Sequence, residues 1–320
     1  MRRGFAAGVV AIAVISGAAA VAAAAVASSP KPGKIVAAAA GRGFFRSRCD
    51  YSHTRPDDPI LMPGKPGMSM VHDFFGNTST TADSTAAGLR AATHTSCLAP
   101  GDTSAYWVPA LYQHGTRVVP DRALVYYRDA GRKAATIQTL PPGLQMIAGD
   151  EAAMAPQSTK VAYWNCGARA NVRKSALPPA SCPAGSQLVL SLVFPDCWNG
   201  HTLAGASRQN VAYAVGGGSG CPSGYPVAIP QVVIHVHYPI SRGDGLTLSM
   251  GPSANTMPHS IYTAHADLFN AWDPNVLASL VERCDGGHLL CGTVGPANQP
   301  LGESQKELRR MRERERAHRH

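Results

Sequence analysis

The sequence predicts a mainly β fold, an antiparallel β-sandwich of jelly-roll type with one short C-terminal helix and disulfides. Three observations carry this expectation. Charged residues are only 15% of the 320, whereas Gly and Pro number 32 and 25, a composition that suits strands joined by many turns. Segments rich in aliphatic, β-branched and aromatic residues recur, each bounded by Gly, Pro, Asn or Asp. Eight cysteines follow an apolar leader, an even set that reads as four disulfides in an oxidising compartment.

At the N-terminus, Arg2 and Arg3 precede an uncharged, Ala/Val-rich run over residues 5–26, and Ala25-Val26-Ala27 matches an A-x-A cleavage pattern. Residues 1–27 are therefore expected to be an export signal and the protein extracellular, with cell-wall association as a variant. The alternative is a retained anchor, since about 20 apolar residues span a bilayer, and a membrane is a partner only if the segment stays uncleaved. A Pro/Gly/Ala-rich linker (28–43), a single β domain (44–300) and a charged tail (301–320) complete the expected organisation. The formal net charge of +9, or +7 without Arg2 and Arg3, favours acidic partners such as anionic wall polymers. Part of it belongs to the tail, where residues 303–320 hold seven Lys/Arg against four Glu and read as a solvated, partly helical or frayed end.

Residues 44–77 read as polar and loop-like. Strands are expected within 106–112, 122–127, 160–165, 187–194, 210–215, 227–238 and 246–250. In 187–194, Leu188, Leu190, Leu192 and Phe194 share one face and Val189 and Val193 the other, so this strand should be buried on both sides. The best helix starts at Asp273, a good cap, with Pro274 at the first helical position. Val276, Leu277, Leu280 and Val281 then form its apolar stripe. For the cysteines, mostly local pairing is expected, Cys49–Cys97, Cys166–Cys182, Cys197–Cys221 and Cys284–Cys291, one of many connectivities that eight cysteines allow.

Read in order, several blocks resemble a known family. Asp58-Pro59-Ile60 leads to His72-Asp73-Phe74-Phe75-Gly76-Asn77, then Tyr106-Trp107-Val108-Pro109-Ala110-Leu111-Tyr112. Pro141-Pro142-Gly143-Leu144-Gln145-Met146-Ile147-Ala148-Gly149 and Phe194-Pro195-Asp196-Cys197-Trp198-Asn199-Gly200 follow. The series closes on His265-Ala266-Asp267-Leu268-Phe269-Asn270-Ala271-Trp272-Asp273. Together these are similar to the DUF1996 family of secreted proteins. That resemblance implies no established activity; carbohydrate-binding modules beside the domain in some relatives imply a polysaccharide context. The chain departs from the family pattern at Met70 and Asn210, where histidines are common.

Four residues are the candidate catalytic set: Asp58, His72, His265 and Asp267. His265 and Asp267, at i and i+2 of an extended segment, project from one face, where they could share a divalent metal, with Asp58 or His72 as the third ligand, or pair as base and orienter. His72 and Asp73, being adjacent, point to opposite sides. Asp58, Asp196 and Asp267 are the carboxylates from which a glycosidase pair could be drawn. His235 and His237 also alternate on one strand face, and His201 lies in a turn. Trp107 and Trp272 read as core and Trp198 as core or sugar platform. Nucleophile elbows, zinc-protease helices and phosphate loops are missing from the sequence, and basic residues do not interleave with aromatics, which argues against nucleic acid. The expected function is binding or hydrolysis of extracellular polysaccharide or cell-wall polymer, with a non-catalytic wall-associated protein as the alternative.

Overall fold

The computed structural model describes residue 1 and residues 33–38, 43–132, 137–167, 173–215, 220–253 and 256–317. The expected export signal after its first residue, and most of the Gly-rich turn before Cys221, lie outside these. In chain order the strands are β1 (Val36–Ala37), β2 (Phe44–Arg55), β3 (His72–Gly76), β4 (Ala105–Pro109), β5 (Leu111–Gln113) and β6 (Thr116–Val118). Next come β7 (Arg122–Arg128), β8 (Gln145–Gly149), β9 (Ala162–Cys166), β10 (Leu188–Val193), β11 (Cys197–Trp198) and β12 (Val211–Ala212). The last are β13 (Val227–Ala228), β14 (Gln231–Tyr238), β15 (Leu246–Leu248), β16 (His265–Phe269) and β17 (Leu289–Thr293).

One eleven-stranded sheet runs β8-β16-β4-β3-β2-β7-β14-β10-β9, with β17 paired to both β1 and β2. Its pairings are antiparallel except that of β17 with β2. β2 is the fold line: Phe44 to Asp50 pair with β7, and Tyr51 to Arg55 pair with β3 across an irregularity in register. Two layers result. Phe45, Val125, Ile234 and Leu190 from one meet Tyr106, Val108, Met146 and Leu268 from the other in a single core. β8 and β10, far apart in strand order, come into contact as the layers close. The chain crosses between layers within β2, from β4 to β7, from β7 to β8, from β8 to β9, from β14 to β16 and from β16 to β17, which gives the sandwich its jelly-roll character. β10 is buried along its whole length, as its two-sided apolar pattern requires.

All four expected disulfides form, each contributing roughly 2–4 kcal/mol by restricting the unfolded chain. Helix α1 spans Ala86–Ala91. The expected late helix is α2 (Pro274–Leu280), whose cap Asp273 accepts from the N–H groups of Asn275 and Val276. A π turn over Val281–Gly286 follows it, and α3 spans Gln305–Ala317.

Several expectations need correction. Residues 44–77 are not all loop, because β2 and β3 lie there. In β2 the polar Arg46, Arg48 and Asp50 face outward, and Ser47 takes an inward place between Phe45 and Cys49, so the alternation is disguised. Residues 227–238 split into β13 and β14 around Pro230, which has no N–H for a ladder. Linker and tail are not peripheral at their junction with the domain. β1 pairs with β17, and Lys34 bridges Glu303, which is 1% exposed and receives Arg46 at 2.8 Å. Leu308 and Met311 of α3 pack against Phe44 and Leu290. An amphipathic turn thus docks what charge counting assigned to solvent.

Candidate metal centre

The second layer has two apolar faces. Phe75, Tyr106, Val108, Ala266, Leu268 and Met146 point into the main core, while Phe74, Trp107, Phe269 and Ile147 form a smaller core on the outer side. Strand alternation places His72 with Phe74, and His265 and Asp267 with Phe269. This outer face is roofed by Ile60 and Leu61 of the loop before β3 and by Leu89 of α1. The roof is pinned by its own acids. Asp57 accepts from Gly67 N at 2.8 Å and Ala82 N at 3.3 Å, and Asp58 Oδ1 accepts from Ile60 N and Leu61 N at 2.8 and 2.9 Å.

Under this roof His72 Nδ1 donates to the Asp57 carbonyl at 3.0 Å, and His265 Nδ1 donates to the Thr263 carbonyl at 2.8 Å. Carbonyls only accept, so each Nδ1 carries the hydrogen and each neutral ring presents an Nε2 lone pair. The two Nε2 atoms face one another at 3.4 Å, and Asp267 Oδ2 lies 3.7 Å from that of His265. One ligand atom from each of His72, His265 and Asp267 lies within 4.8 Å of the other two. All three residues are 0% exposed, and Asp58 is 1% exposed. Among the described residues neither oxygen of Asp267 has a hydrogen-bond partner, and the Trp107 indole N–H acts on the Asp58 carboxyl.

Electrostatics agree with this picture. Burial pushes His72 down to about 4; burial together with the His72 charge does the same to His265. Both rings are neutral at pH 7, the form that ligates metals. Burial and then the charge of Asp58 push Asp267 well above the carboxylate range, and burial raises Asp58. Facing lone pairs and unpartnered carboxyl oxygens in a dry site are costly. A divalent cation coordinated by the nitrogens and oxygens would remove that cost, and the backbone carbonyls behind the imidazoles are of the kind that serve as outer-shell partners in such sites.

Gly149 makes the approach possible. It pairs with His265 in the β8–β16 ladder at φ 90°, and a Cβ there would lie 2.3 Å from the Ala264 carbonyl oxygen and 2.8 Å from His265 Cα. Gly149→Ala is expected to cost about 3 kcal/mol and to shorten the hydrogen-exchange protection of β16, measured against that of β10.

The other candidates are placed elsewhere. Asp73 points away from His72, as adjacency requires, and is held by Arg117 and by Thr54 Oγ1 at 2.7 Å. Asp196 pairs with Arg132 at 2.8 Å and accepts from Ala214 N, so it braces a loop and does not join a glycosidase pair. His201 folds back on the Asn199 carbonyl in its turn, and His235 meets Ser191 on the outside of the first layer. Trp107 and Trp272 are core, at 0% and 1% exposure, whereas Trp198 is half-buried with Nε1 donating to the Thr202 carbonyl. Asn210 donates to the Gln145 carbonyl, at the opposite end of β8 from Gly149, and so stands outside the cluster.

Burial pushes His237 down to about 4. Its folded pKa lies below the unfolded one, so its cost to the fold appears as pH falls through 6.5 and is complete near 4. His237→Gln is therefore expected to lose less stability than the parent between pH 7 and 4, by up to about 3 kcal/mol, in paired denaturant titrations.

Sequence reading missed the residues that position the cluster: Asp57, Thr263 and Gly149. It also missed Arg208, which donates to the Gly149 carbonyl at 2.7 Å and pairs with Glu151. That pair is about one-third exposed and its charges act on Asp267. The Met146-Ile147-Ala148-Gly149 block held a signal for one of them, since a Gly ending a strand marks a close backbone approach.

These features define a disulfide-linked β-sandwich with a sealed histidine–carboxylate cluster under a loop on its outer face. The chain belongs to the DUF1996 family, described as a domain of unknown function, whose family model matches residues 58–272 and so includes all four cluster residues. Neither a curated protein nor a solved structure matches the chain. Among the described residues, no helix is long and apolar enough to cross a membrane.

Proposed function

We propose that this is an exported protein that binds extracellular or cell-wall polysaccharide, and that His72, His265 and Asp267, with Asp58 as a further oxygen donor, hold one divalent ion. The observation that carries the metal is the pair of Nε2 atoms facing one another at 3.4 Å beside unpartnered carboxyl oxygens. Two imidazoles with carboxylates suit zinc or a neighbouring first-row divalent ion. Export is supported by the cationic, apolar leader and by four disulfides. The polysaccharide context is supported by the family resemblance and by the basic charge.

Burial favours the non-catalytic alternative over hydrolysis. A hydrolase needs its acids at a cleft that admits a sugar bond, and structural metal sites are closed. Here Asp58 and Asp267 lie sealed beneath Ile60 and Leu61. The test is a panel of insoluble glycans with the purified, oxidised protein, with and without chelator. Retention on a polymer without product supports binding. Reducing ends released by the parent and not by His265→Ala would replace this reading with the hydrolytic one.

A further inference from the structure

The outer face of the first layer carries a second feature. Register places Arg46, Arg48, Arg122 and Arg128 on that face of β2 and β7, beside His235 and His237 of β14 and Tyr163 of β9. Aromatic rings seat the cations: Arg128 lies over Tyr126 at 4.9 Å, Arg46 over the same ring at 5.5 Å, and Lys174 over Tyr163 at 4.3 Å. Asp50 takes Arg48, and Glu303 and Glu307 take Arg46. Arg122, Arg128 and Lys174 have no acidic partner among the described residues. Burial, then the charges of Arg128, His237, Lys174 and Arg46, hold His235 well below its usual range, so the positive field is felt across the strands.

We infer that this face binds an acidic polysaccharide, its carboxylates meeting Arg122, Arg128 and Lys174. The inference rests on the polysaccharide reading above and adds the chemical class and the surface. Arg122 and Arg128 stand at the two ends of β7, roughly 20 Å apart at the rise of an extended strand, a span suited to a chain with repeated charges. The Arg128 guanidinium, pre-set on the Tyr126 ring, favours a carboxylate over a neutral sugar.

The experiment measures binding of the full chain to polygalacturonate, to a neutral linear β-glucan of matched length and to single-stranded DNA, at about 50 and 200 mM salt. Polygalacturonate is expected to bind best and to weaken at least about tenfold between those salts. The pair Arg122→Gln with Arg128→Gln is expected to weaken it about tenfold, and the exposed Lys174→Gln, which threatens folding least, about threefold. The pair Arg55→Gln with Lys65→Gln, of equal charge and exposed on the second layer, should stay within about twofold. Equal loss from this second-layer pair would overturn the inference, as would tighter binding to DNA. Binding to the neutral glucan that the face variants leave unchanged would overturn it while sparing the polysaccharide reading. Failure to bind any glycan would defeat both.

Discussion

His265→Ala is expected to reduce bound divalent metal from about one ion per chain to below about a tenth, measured by elemental analysis after dialysis. The same variant should lose the stabilisation that metal confers. A ligand at a hundred times its dissociation constant adds about 2.7 kcal/mol to the parent, which for a domain of this size raises the unfolding midpoint by several degrees. The variant's midpoint should not respond to zinc. Its metal-free stability should fall by about 1–3 kcal/mol, because a buried ring and its bond to the Thr263 carbonyl are lost while the Nε2–Nε2 contact at 3.4 Å is relieved. A large loss without metal, and no loss of metal response, would identify His265 as an ordinary core residue.

Trp107→Ala is expected to be the most damaging single substitution near the centre. Trp107 is 0% exposed, stands opposite Asp267 in the β4–β16 ladder and packs on Phe74 with ring centroids 5.6 Å apart. Deleting a buried indole costs about 3–5 kcal/mol, a fall of roughly 10 °C in midpoint. Trp107→Phe should cost much less, because most of the buried ring is kept and only the indole N–H that acts on Asp58 is lost. Thermal unfolding of the two variants checks this. Equal stability of parent and Trp107→Ala, with loss of glycan binding, would instead make Trp107 a sugar platform.

How much of this was legible beforehand depended on where each strand sits. β7, β10 and β14 announce themselves, because their Val, Ile and Leu residues line the main core. β3 and β16 do not: His72, Asp73, His265 and Asp267 are buried polar groups within HDFFG and HADLF, and they break the apolar pattern by which strands are recognised. Spacing alone did place His265 and Asp267 on one side and His72 and Asp73 on opposite sides, since alternation needs only extended backbone. What spacing cannot supply is the distance between β3 and β16, which are brought together by β4 lying between them. Nor can it supply the roof. The depth of Asp58 follows from Ile60 and Leu61 closing over an outer sheet face, a tertiary event with no local signature.

Zinc titrated into chelator-treated protein, with Cys pairs intact, tests the metal centre most directly. One equivalent bound tightly, with the histidine ring signals of His72 and His265 shifting together in NMR and those of His235 and His237 unmoved, is the expected result. Saturable binding that leaves both His72 and His265 unperturbed, or no binding at all, would contradict it.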